Sequence, residues 1–474
     1  MRRFIRRHLH PAQLVVFSFA TVILIGTALL SLPIATRSGQ RLPLIDAFFT
    51  SASATCVTGL VVVDTGTVFS TFGQVVILCC VQIGGLGLMT FTTVFLVAVG
   101  RRLAIADRIA IQESFHHTPT GSIGTLIMYI VFATFIIEAV GALLLTIHWL
   151  RAGRFETVAE TVYHAVFHAV SAFCNAGFAL YADSLIGFQN DPFVIFVFSS
   201  LIVIGGLGFL VGLDLKEYLE QTFFARFWSG RVRARVGAIR PRPRLSVHTK
   251  FVLVTTVTLL VVGTISYYLL ERRGLFAAMS TGEAWMNAYF CAVTPRTAGF
   301  NTIDYSGMSG AALLCTMVLM FIGASPGSTG GGIKTSSFGL LIAYSISRWR
   351  GHTRLHAFNR TIPQESIDRA GAVVIAAIAL LILASSALMV TETYGSTSKE
   401  SQSVFLTILF ETISAFGTVG LSLGQTPVLS ASGKIIIALV MFIGRTGPLT
   451  LALAISLKRK RAHYHYAEEN VMVG

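Results

Sequence analysis

The chain is short of charge. Asp, Glu, Lys and Arg supply only 12% of its 474 residues, whereas a soluble domain carries about a quarter. That is too little to cover a water-facing surface of this size, so an ordinary soluble globule is excluded. Acidic residues are the scarcer sign, 22 against 36 basic. The six cysteines are Cys56, Cys79, Cys80, Cys174, Cys291 and Cys315. None has metal-ligand spacing, and the Cys79-Cys80 pair is no CxxC. They read as small buried hydrophobes. No hydrolytic or redox constellation appears, and the chain is not expected to be an enzyme.

What the chain has instead is apolar length. Hydrophobic residues make up 54%, and mean hydropathy is +0.72. Apolar runs of about 20 residues, enough to span a bilayer as helix, lie near 12–32, 73–99, 125–148, 193–214, 251–270, 311–345, 370–391 and 434–457. Helix is the only open segment that satisfies its own backbone in lipid. The first run follows Arg2, Arg3, Arg6 and Arg7. It is longer than a signal-peptide core and seven runs follow, so it reads as an uncleaved first helix.

Charge orients these spans. Twenty-five of the 36 Lys and Arg fall in 1–10, 101–125, 216–250, 348–369 and 458–461. These segments alternate with the rest, so the positive-inside rule makes them, and both termini, cytoplasmic. The net charge of +14 is thus a topology signal. A nucleic-acid partner for the Arg231–Arg244 stretch is not expected, because short membrane loops are routinely basic.

One short stretch recurs four times. Ser53-Ala-Thr-Cys-Val-Thr-Gly59-Leu60 is repeated as Ser171-Ala-Phe-Cys-Asn-Ala-Gly177-Phe178 and as Ser414-Ala-Phe-Gly-Thr-Val-Gly420-Leu421. Val293-Thr-Pro-Arg-Thr-Ala-Gly299-Phe300 is a looser copy. The closing glycines are 118, 122 and 121 residues apart, and ten residues before each stands an aromatic: Phe49, Phe167, Tyr289 or Phe410. A repeat decides the fold before anything else does. Each unit reads as helix, shorter segment, glycine loop, helix. The shorter segments, 44–55, 160–173, 285–294 and 405–416, cannot span and read as re-entrant. The expected fold is an all-α integral membrane protein of four pseudo-repeats, with eight spanning helices around a central ion pathway. The units are 1–100, 101–215, 216–345 (opening on the basic loop) and 346–457, with a tail at 458–474.

The four loops form the expected ring. A dehydrated monovalent cation needs oxygens in place of its water, and backbone carbonyls supply them. Glycine permits the dihedrals that aim carbonyls at one axis. The re-entrant helices would point their negative C-terminal ends inward, and the mildly acidic outer loops would concentrate cations at the mouth.

The second helix of each unit carries Ile83-Gly84-Gly85-Leu86-Gly87, Ile204-Gly205-Gly206-Leu207-Gly208, Ile322-Gly323 or Ile443-Gly444. No strand precedes these glycines and GxGxxG is not met, so they are no nucleotide fingerprint. In the first two units they read as close helix packing through small residues. The third unit differs. Gly323-Ala-Ser325-Pro-Gly327-Ser328-Thr329-Gly330-Gly331-Gly332 cannot continue a helix, and Lys334 follows at once. Ile333 separates Gly332 from Lys334, which rules out a Walker A loop. Arg445 stands at the corresponding depth in the fourth unit. A charge there faces an interior or a water path, either as a barrier to cations or as a brace on the glycine loop's carbonyls. Both readings place it at a gate.

His164 and His168 lie i, i+4 on the second re-entrant helix. A metal needs a third ligand, and none is evident, so packing or a proton-sensitive role is expected. Glu138, inside the third span, is expected to have a polar partner; a coupling-ion ligand is the alternative. Arg296 is expected to turn from the axis and tie the third loop to an acid.

The four glycine strings, the broken helix from Gly323 to Lys334 and Ile443-Gly-Arg445-Thr-Gly-Pro448 together resemble the Trk/Ktr/HKT superfamily of potassium transporters, over essentially the whole chain. The tail Glu468-Glu-Asn-Val-Met-Val-Gly474 resembles its KtrB-like branch. The resemblance implies a potassium filter lined by Thr58, Gly59, Asn175, Ala176, Gly177, Thr297, Ala298, Gly299, Thr418, Val419 and Gly420. Potassium would sit on the backbone carbonyls of Val57, Thr58, Asn175, Ala176, Thr297, Ala298, Thr418 and Val419. It implies an intramembrane gate at Gly323–Gly332, with Arg445 beside it. It also implies a plasma-membrane homodimer on a cytosolic nucleotide-binding ring, nucleotide bound only by that partner, and sodium as an activator. Gly59, where many plant relatives have serine, favours potassium over sodium.

Overall fold

The computed structural model describes residues 11–87, 123–227, 244–394 and 397–447. Fourteen α-helices occur among them. One order of elements is met four times: a helix, a shorter helix, an irregular loop, another helix. The first unit is α1 (Pro11–Leu30), α2 (Leu44–Thr55) and α3 (Thr71–Leu86). The second is α4 (Ile123–Ala152), α5 (Val158–Phe173) and α6 (Pro192–Leu207), followed by α7 (Phe209–Phe227). The third is α8 (Val247–Glu271), α9 (Thr281–Val293) and α10 (Gly310–Phe321), followed by α11 (Thr335–Trp349). A hairpin of two-residue strands, β1 (His356–Ala357) and β2 (Arg360–Thr361), leads to α12 (Gln364–Glu392), α13 (Ser398–Gly417) and α14 (Ala431–Thr446).

Among the described residues, three helices are long and apolar enough to cross a membrane, over Met128–Ala152, Val247–Glu271 and Gln364–Glu392. The pair α6 and α7 passes the same test together but is bent by 96°. Three of the short helices cannot cross: the 12 residues of α2 rise only about 18 Å, against roughly 30 Å of hydrocarbon, whereas α13, with 20 residues, begins well before the expected 405–416 segment.

Capping sets where the closing helix of each unit begins. Ser70 accepts from Gly73 N, Asp191 from Phe193 and Val194 N, Ser309 from Ala312 N, and Ser430 from Gly433 N. Each satisfies an amide that the helix leaves unpaired. Two of these caps are held in turn by an acid at the end of the unit's first helix. Glu271 accepts from Ser309 N at 2.8 Å and Glu392 from Ser430 N at 3.0 Å.

Fourteen residues after each cap come Gly84, Gly205, Gly323 and Gly444. At Gly84, Gly205 and Gly444 a Cβ would collide with the carbonyls of Thr55, Phe173 and Phe416, in the last turns of α2, α5 and α13. Close packing through small residues is therefore present, and its partner is the end of the short helix.

The second unit corrects the expectation of an uninterrupted span over 193–214. Helix α6 stops at Leu207. Gly208 takes φ +90°, a conformation open to glycine at little cost. Phe209 N then donates to Gly327 O at 3.0 Å, so the third unit's loop holds the bend. Helices α3 and α14 end in the same way, on Gly87 (φ +76°) and Gly447 (φ +85°). The remainders of the expected spans 73–99 and 434–457 lie outside the described residues, as do most of the basic loop at 226–244 and the tail at 458–474.

The fourth unit meets the first through an ion pair, Lys434 on α14 to Asp46 on α2, at 2.6 Å with 13% and 15% of the side chains exposed. Phe49, Phe167 and Phe410 are buried, as are Leu60, Phe178, Phe300 and Leu421 after the glycines. Tyr289 departs from the pattern and is 36% exposed. Cys56, Cys80, Cys174 and Cys291 are buried, Cys315 is half-buried and Cys79 is exposed; all six are free thiols.

Candidate ion pathway

The short helices stop just before the glycine loops, three of them capped by Cys56, Cys174 and Thr294, and α13 ending at Gly417. Each loop then takes the same course. The residue before each glycine donates its N–H back to the helix: Thr58 to Ser53 O, Ala176 to Ser171 O, Ala298 to Thr294 O and Val419 to Ser414 O, at 2.8–2.9 Å. Hydroxyls hold the other side. Ser53 accepts from Gly59 N at 3.1 Å and Ser414 from Gly420 N at 3.2 Å. Ser171 donates to Phe178 O at 2.7 Å, and Thr294 donates to Phe300 O. The recurring Ser-Ala thus has a physical reason that the sequence displayed without explaining.

The glycines lie at φ +90° (Gly59), +69° (Gly177), +78° (Gly299) and +92° (Gly420). Two residues earlier, Val57, Asn175, Thr297 and Thr418 are also left-handed, at φ 57°, 60°, 77° and 51°. Such a conformation costs an L-residue about 1–2 kcal/mol and is a true outlier for the β-branched Val and Thr. Three aligned outliers, with Asn175 in the same conformation, are backbone strain of the kind that persists where function needs it. Val and Thr give no sign of left-handed backbone in a sequence, so only Asn175 offered a hint of it.

The glycines close a circuit. A Cβ on Gly59 would stand 2.5 Å from Ala176 O and 3.0 Å from Gly177 Cα; one on Gly177 would stand 2.9 Å from Ala298 O and 3.1 Å from Gly299 Cα. Gly299 faces Val419 O and Gly420 Cα, and Gly420 faces Thr58 O and Gly59 Cα. Units one to four are therefore neighbours in cyclic order. On one side of the ring is a cavity of about 250 Å³ touching all four glycines, with Asp64 and Asp304 in its wall and no Lys or Arg. Below the ring, the Asn175 amide and the Thr297 hydroxyl join the second and third loops at 3.1 Å. The amide orientation that satisfies every neighbour has Nδ2 donating to Ala172 O and Ile202 O, with Oδ1 accepting from Thr297.

The loop from Gly323 to Gly332 lies against this ring. The parallel bridge of Ile322 with Ile333 closes its neck. Gly331 N donates to the Thr418 hydroxyl at 3.0 Å, and a Cβ on Gly330 would strike the Thr297 hydroxyl. Ser325 N and Thr329 N donate to Gly206 O and Gly205 O at 3.0 and 3.2 Å. The Thr329 hydroxyl reaches Phe173 O at 3.3 Å. Inside the loop, Ser325 bonds Thr335 at 2.9 Å and Ser328 donates to Ser325 O at 2.6 Å. Lys334 Nζ folds back onto Gly330 O at 2.8 Å. The Arg445 guanidinium donates to Thr329 O on the loop and to Gly84 O on α3. Of the two readings of Arg445, the brace on carbonyls matches its contacts, and it ties the first and fourth units to a loop that the second unit already holds through Gly205 O and Gly206 O.

Other candidates resolve differently. Arg296 is buried, but its partner is the Thr256 hydroxyl at 3.5 Å on α8. This corrects the expected acid: the polar group that α8 presents there is a hydroxyl. Glu138 is buried and accepts from Gln82 at 3.0 and 3.3 Å, with the Cys174 thiol at 3.7 Å. No group of three metal-ligating side chains occurs among the described residues. His164 and His168 stack within an aromatic group with Tyr181, ring centroids 6.0 and 4.7 Å apart for His164–His168 and His168–Tyr181.

Residues 5–465 match the family model described as TrkH, cation transport protein. The chain belongs to this family. It is similar to the potassium/sodium uptake protein NtpJ of Enterococcus hirae, 38% identical over 477 residues that cover all of this chain and 99% of that one. It is also similar to the Ktr system potassium uptake protein B of Bacillus subtilis, 38% identical and covering 93% and 92% of the two chains. The solved potassium transporter TrkH of Vibrio parahaemolyticus superposes with a TM-score of 0.64 over 93% of this chain and 84% of that one, at 19% identity. That likeness concerns the fold. Within the TrkH family the chain is thus a KtrB-like member, a membrane ion transporter and not an enzyme.

Proposed function

We propose that the protein takes potassium up across the plasma membrane through the ring of Gly59, Gly177, Gly299 and Gly420. The observation that supports this most is the closed circuit of four positive-φ glycines, each against the next. Carbonyls of Val57, Thr58, Asn175, Ala176, Thr297, Ala298, Thr418 and Val419 replace the ion's water, and the helix ends behind them add negative potential. Four pseudo-repeats with eight spanning helices enclose this path. The 250 Å³ cavity with Asp64 and Asp304 is the outer vestibule, and an uncompensated acidic wall there draws cations in.

The Gly323–Gly332 loop is the gate, closed by Arg445 and Lys334. Both chain ends face the cytoplasm, where a homodimer sits on a nucleotide-binding ring that sets the loop's state, with sodium as an activator. The relatives named for potassium uptake support potassium as the ion carried; the homodimer and the ring rest on the KtrB-like resemblance. The alternative is sodium-coupled symport, favoured by Glu138, a buried carboxylate whose partners Gln82 and Cys174 are both neutral. Radioactive rubidium uptake into liposomes holding the purified chain tests transport. Uptake unchanged when a sodium gradient is imposed or removed supports the first mechanism; strict dependence on the gradient supports the second.

A further inference from the structure

One position of the short helices, nine residues before the glycine, is occupied by Thr50, His168, Phe290 and Glu411. In α5, His168 is fully buried, with Nδ1 2.8 Å from His164 O and Nε2 3.2 Å from Leu180 N. A carbonyl only accepts, so Nδ1 carries the proton. A backbone N–H only donates, so Nε2 is bare. The geometry therefore holds His168 as the neutral Nδ1–H tautomer, and its free lone pair grips the backbone three residues beyond Gly177. In α13, Glu411 is equally buried and does the same to the fourth loop. It accepts from Leu423 N at 3.3 Å, three residues beyond Gly420, from the Thr426 hydroxyl at 2.8 Å, and from the Ser422 hydroxyl.

At this register the other two short helices have no such grip, and the third loop is held instead by the Ser184 hydroxyl, which accepts from Asn301 N at 3.2 Å. The Thr50 hydroxyl has no partner, and Phe290 has no polar atom. The ring order of the glycines makes the second and fourth loops diagonal to each other. Two chemically unlike side chains, an imidazole and a carboxyl, thus supply one acceptor at one register on opposed loops.

We propose that His168 and Glu411 are positioning residues of the filter. They fix the outer lip of two opposed loops and so set the ring's width, and its preference among cations, along that diagonal. This rests on the reading of the glycine loops as the filter. A ring of carbonyls discriminates by its size and stiffness. A loop that loses its outer tether can widen or relax without any change in the residues that face the ion.

Isosteric pairs separate the acceptor from mere bulk. His168→Gln can place an amide oxygen where Nε2 stands, whereas His168→Asn can replace only Nδ1 and leaves Leu180 N without an acceptor. Glu411→Gln keeps an acceptor oxygen, and Glu411→Leu keeps none. The readout is competition of potassium and of sodium against rubidium uptake by purified, monodisperse protein, with Gly177→Ser run alongside. His168→Asn and Glu411→Leu should each lower the preference for potassium over sodium by roughly threefold to tenfold, the factor that one net hydrogen bond supplies. His168→Gln and Glu411→Gln should stay near the parent. If His168→Asn does not accumulate, the Glu411 pair decides the question. Equal preference in acceptor-keeping and acceptor-lacking variants overturns the proposal. So does a shift in Glu411→Gln as large as in Glu411→Leu, because charge would then be the cause. If Gly177→Ser moves the preference and the braces do not, only the positioning role falls; if Gly177→Ser does not move it, the filter reading itself falls.

Discussion

Arg445 offers the sharpest test of the gate. Its guanidinium bonds two carbonyls on different elements, Thr329 O on the loop and Gly84 O on α3. A hydrogen bond to a charged group contributes about 1.5–3 kcal/mol. Opening breaks the bond to Thr329 O, so removing the guanidinium withdraws about 1.5–3 kcal/mol from the closed loop, shifting its equilibrium toward opening by roughly tenfold to a hundredfold. Arg445→Ala and Arg445→Lys separate the two ways a cation could act there. Lysine keeps the charge but is a point donor and does not reproduce the fork. If bracing dominates, both variants raise basal rubidium flux, by tenfold or more if the parent rests about 99% closed. If electrostatic repulsion dominates, only alanine does. Flux equal to the parent in both variants, at equal amounts of folded protein in the liposomes, would refute the gating role altogether.

Other outcomes follow from the same geometry. Gly59→Ser forces a Cβ to within 2.5 Å of Ala176 O at φ +90°. The backbone cost alone is about 1–2 kcal/mol, and potassium-over-sodium selectivity in competition assays should fall with folding preserved. Deleting several residues from 327–332 should raise basal flux while selectivity is retained, measured at equal surface expression; flux no greater than the parent would count against the loop as a plug. Removing Val471–Gly474, an apolar stretch shortly after Glu468 and Glu469, should weaken the homodimer and its hold on the cytosolic ring. Mass measurement in detergent checks this, and a truncated protein that stays fully dimeric and still binds the ring would disprove it.

The sequence displayed the repeat because its marks are residues that physics cannot exchange freely. Positive φ recurs every 120 residues or so, and glycine with it. The break at Gly323–Gly332 was legible for the same reason, since five glycines and a proline end any helix. The bend at Gly208 was not. Leu207 and Phe209 keep hydropathy high across it, Gly205 and Gly206 just before it remain helical, and the bond that fixes the turn comes from Gly327 in another unit. The partner of Arg296 was not legible, because burial of a cation suggests an acid, while α8 presents the Thr256 hydroxyl there. The left-handed Val57, Thr297 and Thr418 could not have been read at all, because their residue types argue against the conformation they adopt. The hydroxyls of Ser53, Ser171 and Ser414 stood in plain sight as part of the repeat, and only their partners gave them a role.

The most direct measurement is the position of ions relative to the glycine ring. Crystals or cryo-EM grids prepared in potassium and in rubidium should give density on the axis enclosed by the carbonyls of Thr58, Ala176, Ala298 and Val419, stronger for rubidium, and weakened in Gly59→Ser. Ordered ions found elsewhere in the protein, with none on that axis at saturating potassium, would contradict the claim that these four loops are the filter.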